Sequence, residues 1–470
     1  MNGQWIGADD GAVITVVNPA TGETIGTVPR MGAAEARRAI VAANEALPSW
    51  RETLAKERGR LLRNWFDLII TNADDLALIL TSEQGKPLAE ARNEIAGGAA
   101  FIEWFAEEAR RTYGETIPTS AKDSRVVVIK QPIGVCAAIA PWNFPNTIIT
   151  RKVAAALAAG CTMVVRPADS TPYSALALAE LAHRAGIPAG VFSVVTGDAH
   201  DIGVEFTANP IVRKLSFTGS TTVGRQLMAQ CSGTVKKVAL ELGGNAPFIV
   251  FEDADIDAAV AGAMGSKFRN AGQACVGANR FYVHDSIYDE FAAKFVTKVA
   301  ALKIGNGAEP GVTFGPVHDV RGVRKVEAHL SDALAKGARL LIGGKRHALG
   351  GTFFEPTVIG DADATMRLAR EETFGPLAPL FRFRDEQSLI RAANDTEFGL
   401  AAYFYSRDHA RVWRVAEALE FGMVGVNVGL MANEAVPFGG IKESGVGREG
   451  SKYGIEDYLE VKYICMGGMQ

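Results

Sequence analysis

The sequence predicts an α/β protein whose parallel sheets carry helices on both faces. Short apolar runs alternate with helical segments from about residue 135 to about residue 426. The runs lack a regular polar alternation, which is typical of strands that are buried on both faces. Alternating strands and helices imply a doubly wound parallel sheet, and such sheets bind ligands beyond the carboxyl ends of their strands.

The first α/β block supplies five predicted strands, at residues 135–140, 161–165, 191–195, 215–218 and 238–242. A helix follows Pro145 and ends near Gly160, which suits a helix C-terminus. Another helix opens with Thr171 as N-cap and Pro172 at the first helical position, and Gly186 closes it.

A second α/β block starts near Pro247. Asp255 is predicted to cap a helix whose apolar residues are spaced four apart on one face, namely Ile256, Val260, Met264 and Phe268. That helix runs out at residues 270–272. Cys275 therefore lies in a loop just beyond a helix end, where a nucleophile can face a cleft. After about Val426 the alternation gives way to a Gly-rich segment.

The composition is that of a soluble globular protein. A chain of 470 residues with 48% hydrophobic and 22% charged residues is expected to form two to three domains. A formal net charge of −4 gives no reason to expect a nucleic-acid partner. No membrane partner is expected either, because the longest apolar stretch, residues 153–165, is too short to span a bilayer. Residues 1–10 show no signal peptide.

The cysteines and histidines argue against disulfides and metals. The five cysteines are scattered, without a C-x-x-C pair, which fits a reducing cytoplasm. The seven histidines show no H-E-x-x-H or other ligand spacing. We therefore expect no structural disulfide and no metal cofactor, and a cytoplasmic location.

Three motifs together suggest a carbonyl chemistry. Cys275 ends the segment FRNAGQAC, Glu241 opens ELGGN, and Asn143 is central in PWNFP. A thiolate adds to a carbonyl carbon, a carboxylate activates water, and a side-chain amide stabilises an oxyanion.

With these motifs, in this order, the chain resembles the aldehyde dehydrogenase superfamily, and most closely its succinate-semialdehyde dehydrogenase branch. The resemblance runs over essentially the whole chain. It implies an aldehyde-dehydrogenase-like α/β fold. A Rossmann-type parallel-sheet domain for the nicotinamide cofactor would comprise residues 1–116 and 133–245, and a second α/β catalytic domain residues 246–450. A small projecting β element, residues 117–132 and 455–470, would pair with a neighbouring subunit in a homodimer or homotetramer.

The resemblance also implies the roles of the three motif residues. Cys275 is expected to be the nucleophile that forms a thiohemiacetal and then a thioester, and Glu241 the base that activates the hydrolytic water. The Asn143 amide, with the Cys275 backbone N–H, is expected to hold the oxyanion.

The family's cofactor-binding segments are also present. Residues at matching positions are Trp142, Arg166, Asp169, Gly219, Ser220, Glu372 and Phe374. The resemblance places the cofactor diphosphate near Ser220, the adenosine ribose at Arg166 and Asp169, and the nicotinamide ribose at Glu372 and Phe374. The family usually has Lys where this chain has Arg166. Asp169 favours NAD because a carboxylate repels a 2′-phosphate, whereas Arg166 could pair with that phosphate and admit NADP.

The substrate side rests on Arg151 and Arg269, which match positions that bind the substrate carboxylate in the succinate-semialdehyde branch. Phe438 matches a pocket-lining position, although it could equally be a core residue. Ala432 stands where close relatives tend to have a Ser.

We therefore expect oxidation of an ω-carboxylated semialdehyde, foremost succinate semialdehyde. The altered Ala432 keeps open another aliphatic or aromatic aldehyde. A third hypothesis, from a different class, is a non-oxidative thioesterase or structural protein on this scaffold.

Overall fold

The computed structural model describes residues 1–469. Its strands are, in chain order, β1 Val13–Val17, β2 Thr24–Pro29, β3 Glu115–Ile117, β4 Arg125–Pro132, β5 Val135–Ile139, β6 Thr162–Arg166, β7 Phe192–Val194, β8 Val212–Thr218, β9 Lys237–Glu241, β10 Ala246–Val250, β11 Ala278–His284, β12 Arg339–Ile342, β13 Thr357–Gly360, β14 Leu377–Phe383, β15 Ala401–Tyr405, β16 Met423–Val426, β17 Gly445–Val446 and β18 Leu459–Met466.

The α-helices of the same residues are α1 Ala33–Glu52, α2 Ala55–Thr71, α3 Ala73–Gln84, α4 Leu88–Glu108, α5 Thr147–Ala159, α6 Pro172–Arg184, α7 Ala199–Ala208, α8 Thr221–Cys231, α9 Ile256–Lys267, α10 Tyr288–Ala300, α11 Val320–Ala335, α12 Arg367–Arg370, α13 Glu386–Asn394, α14 His409–Ala418 and α15 Ser451–Glu456.

The first sheet has the strand order β17-β9-β8-β5-β6-β7. The five strands predicted for the first block, β5 to β9, are present and parallel to one another. The edge strand β17 was not predicted; it comes from the Gly-rich segment and pairs antiparallel with β9. Near the end of the predicted catalytic segment, residues 246–450, the chain therefore returns to the first sheet.

The second sheet has the order β12-β13-β14-β11-β10-β15-β16. Six of its strands are parallel, as the alternating pattern predicts, and β12 pairs antiparallel with β13. The connection between β12 and β13 contains no helix, and without a crossover helix the two strands run in opposite directions. Both large sheets have the helices on their faces that the predicted fold class requires.

Helix capping follows the sequence in one case and departs from it in another. Asp255 accepts a hydrogen bond from the Ala258 N–H at 3.1 Å and begins α9, as predicted. Thr171 occupies the N-cap position of α6, but its side chain makes no capping hydrogen bond. The buried carboxylate of Glu83 accepts from the first N–H groups of α6 instead. A capping group that comes from a distant helix leaves no local sequence signal.

A third, three-stranded sheet is formed by β18, β4 and β3. β18 and β4 pair antiparallel over eight residues, and exposed apolar side chains such as Val461 and Tyr463 lie along β18. β3 begins at Glu115, two residues before the predicted segment 117–132. The other predicted segment, 455–470, ends at Gln470, which lies outside the described residues. Association with another subunit through this sheet stays a prediction.

The core is divided between the two large sheets. Helices α2 to α6 pack on one face of the first sheet around buried residues such as Trp65 and Phe105. The second sheet has buried aromatic side chains on both faces, among them Phe248 and Phe404. No helix within residues 1–469 has both the length and the apolar character needed to cross a membrane.

Candidate active site

The candidate nucleophile, Cys275, follows a turn with unusual backbone geometry. Asn270 and Ala271 both have φ of +52°, in the left-handed region that residues other than Gly seldom adopt. The Asn270 N–H donates to Glu90 Oε2 at 2.7 Å, and its side-chain amide donates to the Asn143 carbonyl oxygen at 2.9 Å. These bonds hold the turn beyond α9 in place. Cys275 then reaches a cleft, as the sequence predicts.

The glycine pair after Glu241 allows the backbone to pass close behind Cys275. Neither Gly243 nor Gly244 has a positive φ. A Cβ at Gly244 would lie 2.6 Å from the Cys275 carbonyl oxygen. Close approach of the backbone, and not a positive φ, is therefore what requires glycine at position 244.

Asn143 is buried next to the nucleophile loop in a fixed orientation. Its Nδ2 donates to the Gln273 carbonyl oxygen at 3.2 Å, and its Oδ1 has no hydrogen-bond partner. The buried Lys86 ammonium donates to the Asn143 carbonyl oxygen at 2.8 Å. Because Nδ2 has two hydrogens, one remains available. Within residues 1–469 the Cys275 backbone N–H also donates to no acceptor.

The environment of the Cys275 thiol disfavours its ionised form. Burial raises its pKa to about 12, although the positive charges of Arg151 and Arg269 oppose that rise. A thiolate is the reactive form. Attack on a substrate therefore has to be accompanied by removal of the thiol proton.

Glu241 ends β9 and is buried. Its Oε2 has no hydrogen-bond partner within residues 1–469. Burial, followed by the negative charge of Glu449, raises the pKa of the Glu241 carboxyl well above its usual range. The backbone at Gly439 passes close to the other carboxyl oxygen. A Cβ added at Gly439 would lie 2.9 Å from Glu241 Oε1. Once ionised, a carboxylate with a raised pKa is a stronger base, and its free oxygen can accept a proton.

Glu449 is part of a buried cluster of charges beside Glu241. Its carboxylate lies 2.6 Å from Arg151 Nε and 2.5 Å from Lys152 Nζ. Arg151 also lies over the Phe438 ring, with 4.2 Å between the guanidinium carbon and the ring centroid. Arg151 was predicted to bind a substrate carboxylate, but in this structure it is paired with a carboxylate of the protein itself.

Arg269, the other predicted substrate residue, has no such partner. Its guanidinium carbon lies 5.1 Å from the centroid of the Phe144 ring. Its buried Nε donates no hydrogen bond, and no carboxylate within residues 1–469 forms an ion pair with it. Ala432 is exposed in the loop after β16, and Phe438 is buried against Arg151.

The cleft in front of Cys275 has a volume of about 370 Å³ and lies at the carboxyl ends of the first sheet. Five of the predicted cofactor residues line it, namely Trp142, Gly219, Ser220, Glu372 and Phe374. Ser220 caps α8, whose N-terminal N–H groups can bind a phosphate. Burial raises the pKa of Glu372 to about 7. The helix N-terminus, the carboxylate and the aromatic walls fit the diphosphate and nicotinamide ribose of a dinucleotide.

The two residues predicted to bind the adenosine ribose lie apart from this cleft and bind each other. Arg166 Nη2 donates to Asp169 Oδ1 at 2.5 Å and to the Gly197 carbonyl oxygen at 2.9 Å. The Asp169 side chain is 44% exposed, whereas that of Arg166 is only 8% exposed. A ligand at this edge of the sheet would therefore meet the carboxylate before the guanidinium.

Comparison with known proteins identifies the family. A family model described as "Aldehyde dehydrogenase family" matches residues 5–464. The chain belongs to the aldehyde dehydrogenase family. The predicted family, fold class and enzyme class are thereby confirmed.

Individual relatives narrow the likeness to semialdehyde dehydrogenases. A glutarate-semialdehyde dehydrogenase of Pseudomonas aeruginosa is 66% identical, over 100% of this chain and 97% of the relative. A succinate-semialdehyde dehydrogenase (NADP+) of Escherichia coli is 64% identical, over 99% of this chain and 97% of the relative. The crystal structure of a succinate-semialdehyde dehydrogenase from Burkholderia pseudomallei has a TM-score of 0.99 and 65% identity, and the match covers 99% of this chain and 97% of that chain.

Sequence reasoning missed several residues of this aldehyde dehydrogenase site. Glu449 lies in the Gly-rich segment, and only the return of β17 to the first sheet brings that segment near Glu241. Lys325 lines the cleft from the first turns of α11. Helix α11 had no motif to single it out, so no sequence signal would have found Lys325. Within residues 1–469 no cluster of His, Cys, Asp and Glu side chains is arranged to hold a metal ion.

Proposed function

We propose that this enzyme oxidises semialdehydes that carry an ω-carboxylate, with succinate semialdehyde as its substrate. Arg269 is the observation that carries the proposal. The Arg269 guanidinium is half-buried, its Nε donates no hydrogen bond, and within residues 1–469 no carboxylate lies at ion-pair distance from it, although the charge of Glu90 is near enough to interact with it. A bound carboxylate would provide a direct partner. The names of the relatives support the same substrate class. The second candidate substrate is glutarate semialdehyde, which is one methylene longer and is named in the Pseudomonas aeruginosa relative.

In the proposed reaction the Cys275 thiol first passes its proton to a water molecule in the cleft, and the thiolate then attacks the aldehyde carbon. The free hydrogen of Asn143 Nδ2 and the Cys275 N–H are the donors for the oxyanion of the resulting thiohemiacetal. Because both donors are held in place before the substrate arrives, they stabilise the charge as it develops. The cleft residues Ser220, Glu372 and Phe374 would hold a nicotinamide cofactor, which would supply the hydride acceptor. The thioester then remains on Cys275.

Glu241 is the proposed base of the second half of the reaction. Its Oε2 is buried and has no partner, so it is free to accept a proton from a water molecule. That water attacks the thioester carbon, the C–S bond breaks, and the carboxylic acid leaves. Arg151 and Lys152 balance the charge of Glu449 next to this base.

The substrate assignment is tested with Arg269→Ala and a matched pair of aldehydes. Butanal has the same four-carbon chain as succinate semialdehyde, with a methyl group in place of the carboxylate. We expect Arg269→Ala to lower kcat/KM for succinate semialdehyde about 10- to 100-fold, the value of a hydrogen-bonded charge pair, and to leave kcat/KM for butanal nearly unchanged. Steady-state formation of the reduced cofactor measures both.

Arg151→Ala is the matched comparison. Because Arg151 pairs with Glu449, its loss should slow turnover of both aldehydes and not only of the charged one. Equal losses on both aldehydes in Arg269→Ala would contradict its role as the carboxylate anchor. A wild-type enzyme with no preference for the semialdehyde would favour another aldehyde. No cofactor reduction with any aldehyde would favour the non-oxidative hypothesis.

We propose further that NAD is preferred over NADP. The support is the exposed Asp169 carboxylate, which would repel a 2′-phosphate, together with Asp198, whose charge also acts on Asp169. The buried Arg166 is already neutralised by Asp169. The name of the Escherichia coli relative includes NADP+, so the preference has to be measured on this chain.

Asp169→Ser tests the cofactor preference. Removal of the carboxylate should raise kcat/KM for NADP about fivefold or more and lower that for NAD, because Arg166 then becomes free to meet a phosphate. Wild-type and variant rates with both cofactors at one aldehyde concentration provide the measurement. If Asp169→Ser changed kcat/KM for NAD and kcat/KM for NADP by the same factor, Asp169 would not discriminate between the two cofactors.

A further inference from the structure

His318 occupies an unusual position between the two large domains. It lies between α10 and α11, directly before Asp319, the N-cap of α11. Its imidazole ring stacks on the Trp142 indole, with 4.2 Å between the ring centroids and 9° between the ring planes. Trp142 follows β5 of the first sheet and lines the cofactor cleft. A residue of the second α/β block thus packs flat on a wall of the cleft that belongs to the first.

Both ring nitrogens of His318 are held by the cofactor-side domain. Nδ1 lies 3.2 Å from the Gln84 carbonyl oxygen, and Nε2 lies 2.8 Å from Ser170 Oγ. A carbonyl oxygen can only accept, so Nδ1 carries the hydrogen and Nε2 accepts from the Ser170 hydroxyl. With both nitrogens bonded, the plane of the ring is fixed. Burial lowers the pKa of His318, in agreement with a neutral ring.

The backbone of His318 is hydrogen-bonded to the loop that carries the nucleophile. Its N–H donates to Gln273 Oε1 at 2.8 Å, and the Gln273 carbonyl oxygen accepts from Asn143 Nδ2. Asn143 is independently held at its carbonyl oxygen by Lys86 and Asn270. Loss of the His318 ring would leave these bonds in place, so the effect of the ring should be confined to Trp142.

Trp142 is the residue through which His318 would act on the cofactor. One face of the indole lies against His318, and the Phe374 ring meets Trp142 in an edge contact at 5.7 Å and 87°. Without the stack, the indole would be free to change rotamer before a ligand binds. A side chain that has to be ordered during binding costs affinity, whereas a side chain that is already fixed does not.

We propose that His318 is a positioning residue for the nicotinamide cofactor, which orients Trp142 by stacking across the domain boundary. The inference rests on the proposed use of this cleft by the cofactor. It concerns the affinity for the cofactor and not the bond-making steps. His318 touches neither Cys275 nor the proposed base.

The test compares His318→Ile, His318→Phe and Ser170→Ala. Phe keeps a flat ring on Trp142 without the two ring hydrogen bonds, Ile removes the ring, and Ser170→Ala loosens one anchor of the histidine. Isothermal titration calorimetry with NAD measures binding directly. Hydrolysis of p-nitrophenyl acetate without cofactor measures the Cys275 site, and thermal unfolding measures the fold.

We expect His318→Ile to weaken NAD binding about tenfold, the cost of ordering one large side chain, and to leave ester hydrolysis and Tm nearly unchanged. His318→Phe should recover most of the affinity for NAD. The Kd of Ser170→Ala for NAD should lie between that of His318→Phe and that of the wild type. An unchanged Kd in His318→Ile would overturn the proposal. So would a parallel loss of ester hydrolysis, since that result would show a general structural role.

Calorimetry also separates this proposal from the proposed function. If the wild-type enzyme binds NAD but does not oxidise semialdehydes, the substrate assignment fails and His318 can still be judged from the Kd values. If the wild-type enzyme oxidises semialdehydes and His318→Ile binds NAD as tightly as wild type, only the positioning role fails.

Discussion

Cys275→Ala is expected to abolish aldehyde oxidation, with a loss of more than about 10⁴-fold in kcat, because no other group in the cleft can form the thioester. Cysteine is present at four other positions, and three of those thiols are buried. The measurement is formation of the reduced cofactor with a saturating semialdehyde. Mass spectrometry of the acid-quenched enzyme would show the acyl adduct in the wild type and its loss in the variant.

Cys465→Ala is the matched control for the nucleophile, because Cys465 is exposed on β18 of the three-stranded sheet, remote in sequence from the three motif residues. It should retain full activity and form the same adduct. Residual turnover of Cys275→Ala near the wild-type rate would remove Cys275 as the nucleophile. An acyl adduct on one of the other cysteines would have the same meaning.

The second large effect is expected for Glu241→Gln. The first turnover should still produce reduced cofactor, whereas steady turnover should fall about 10²- to 10⁴-fold because the thioester is no longer hydrolysed efficiently. Rapid-mixing absorbance at the reduced cofactor separates the two phases. Glu180→Gln, which alters a carboxylate in a surface pair with Arg184, is the control and should leave both phases intact. A steady rate equal to that of the wild type would exclude Glu241 as the base.

The pH dependence of these phases follows from the directions of the pKa shifts. The pKa of the Glu241 carboxyl is raised, first by burial and then by Glu449, so the carboxylate forms only at a pH above the ordinary carboxyl range. Steady turnover of the wild type should therefore rise with pH above the ordinary carboxyl range, and the rise should be absent in Glu241→Gln. The first turnover should also accelerate with pH, because burial raises the pKa of the Cys275 thiol to about 12.

The sequence alone determined the fold class and the three motifs of the candidate site. Both were readable because their signals are local. A strand that is buried on both faces is a continuous apolar run, and Cys275, Asn143 and Glu241 each stand in a short specific segment next to such an element. The Asp255 cap was predicted for the same reason, since an N-cap residue and its helix are adjacent in the chain.

The tertiary structure alone decided which charges are paired. Arg151 and Arg269 have equivalent sequence signals, yet Arg151 is paired with Glu449 and Arg269 is not. Arg166 and Asp169 suggested opposite cofactor preferences, and their mutual ion pair leaves the carboxylate as the exposed charge. Each of these outcomes depends on contacts that the folded chain creates and on the degree of burial. Arg151 and Glu449 are distant in sequence, so their pairing leaves no local pattern and only the folded chain reveals it. Arg166 and Asp169 are three residues apart, and there it is the degree of burial in the folded chain that decides which of the two charges is exposed.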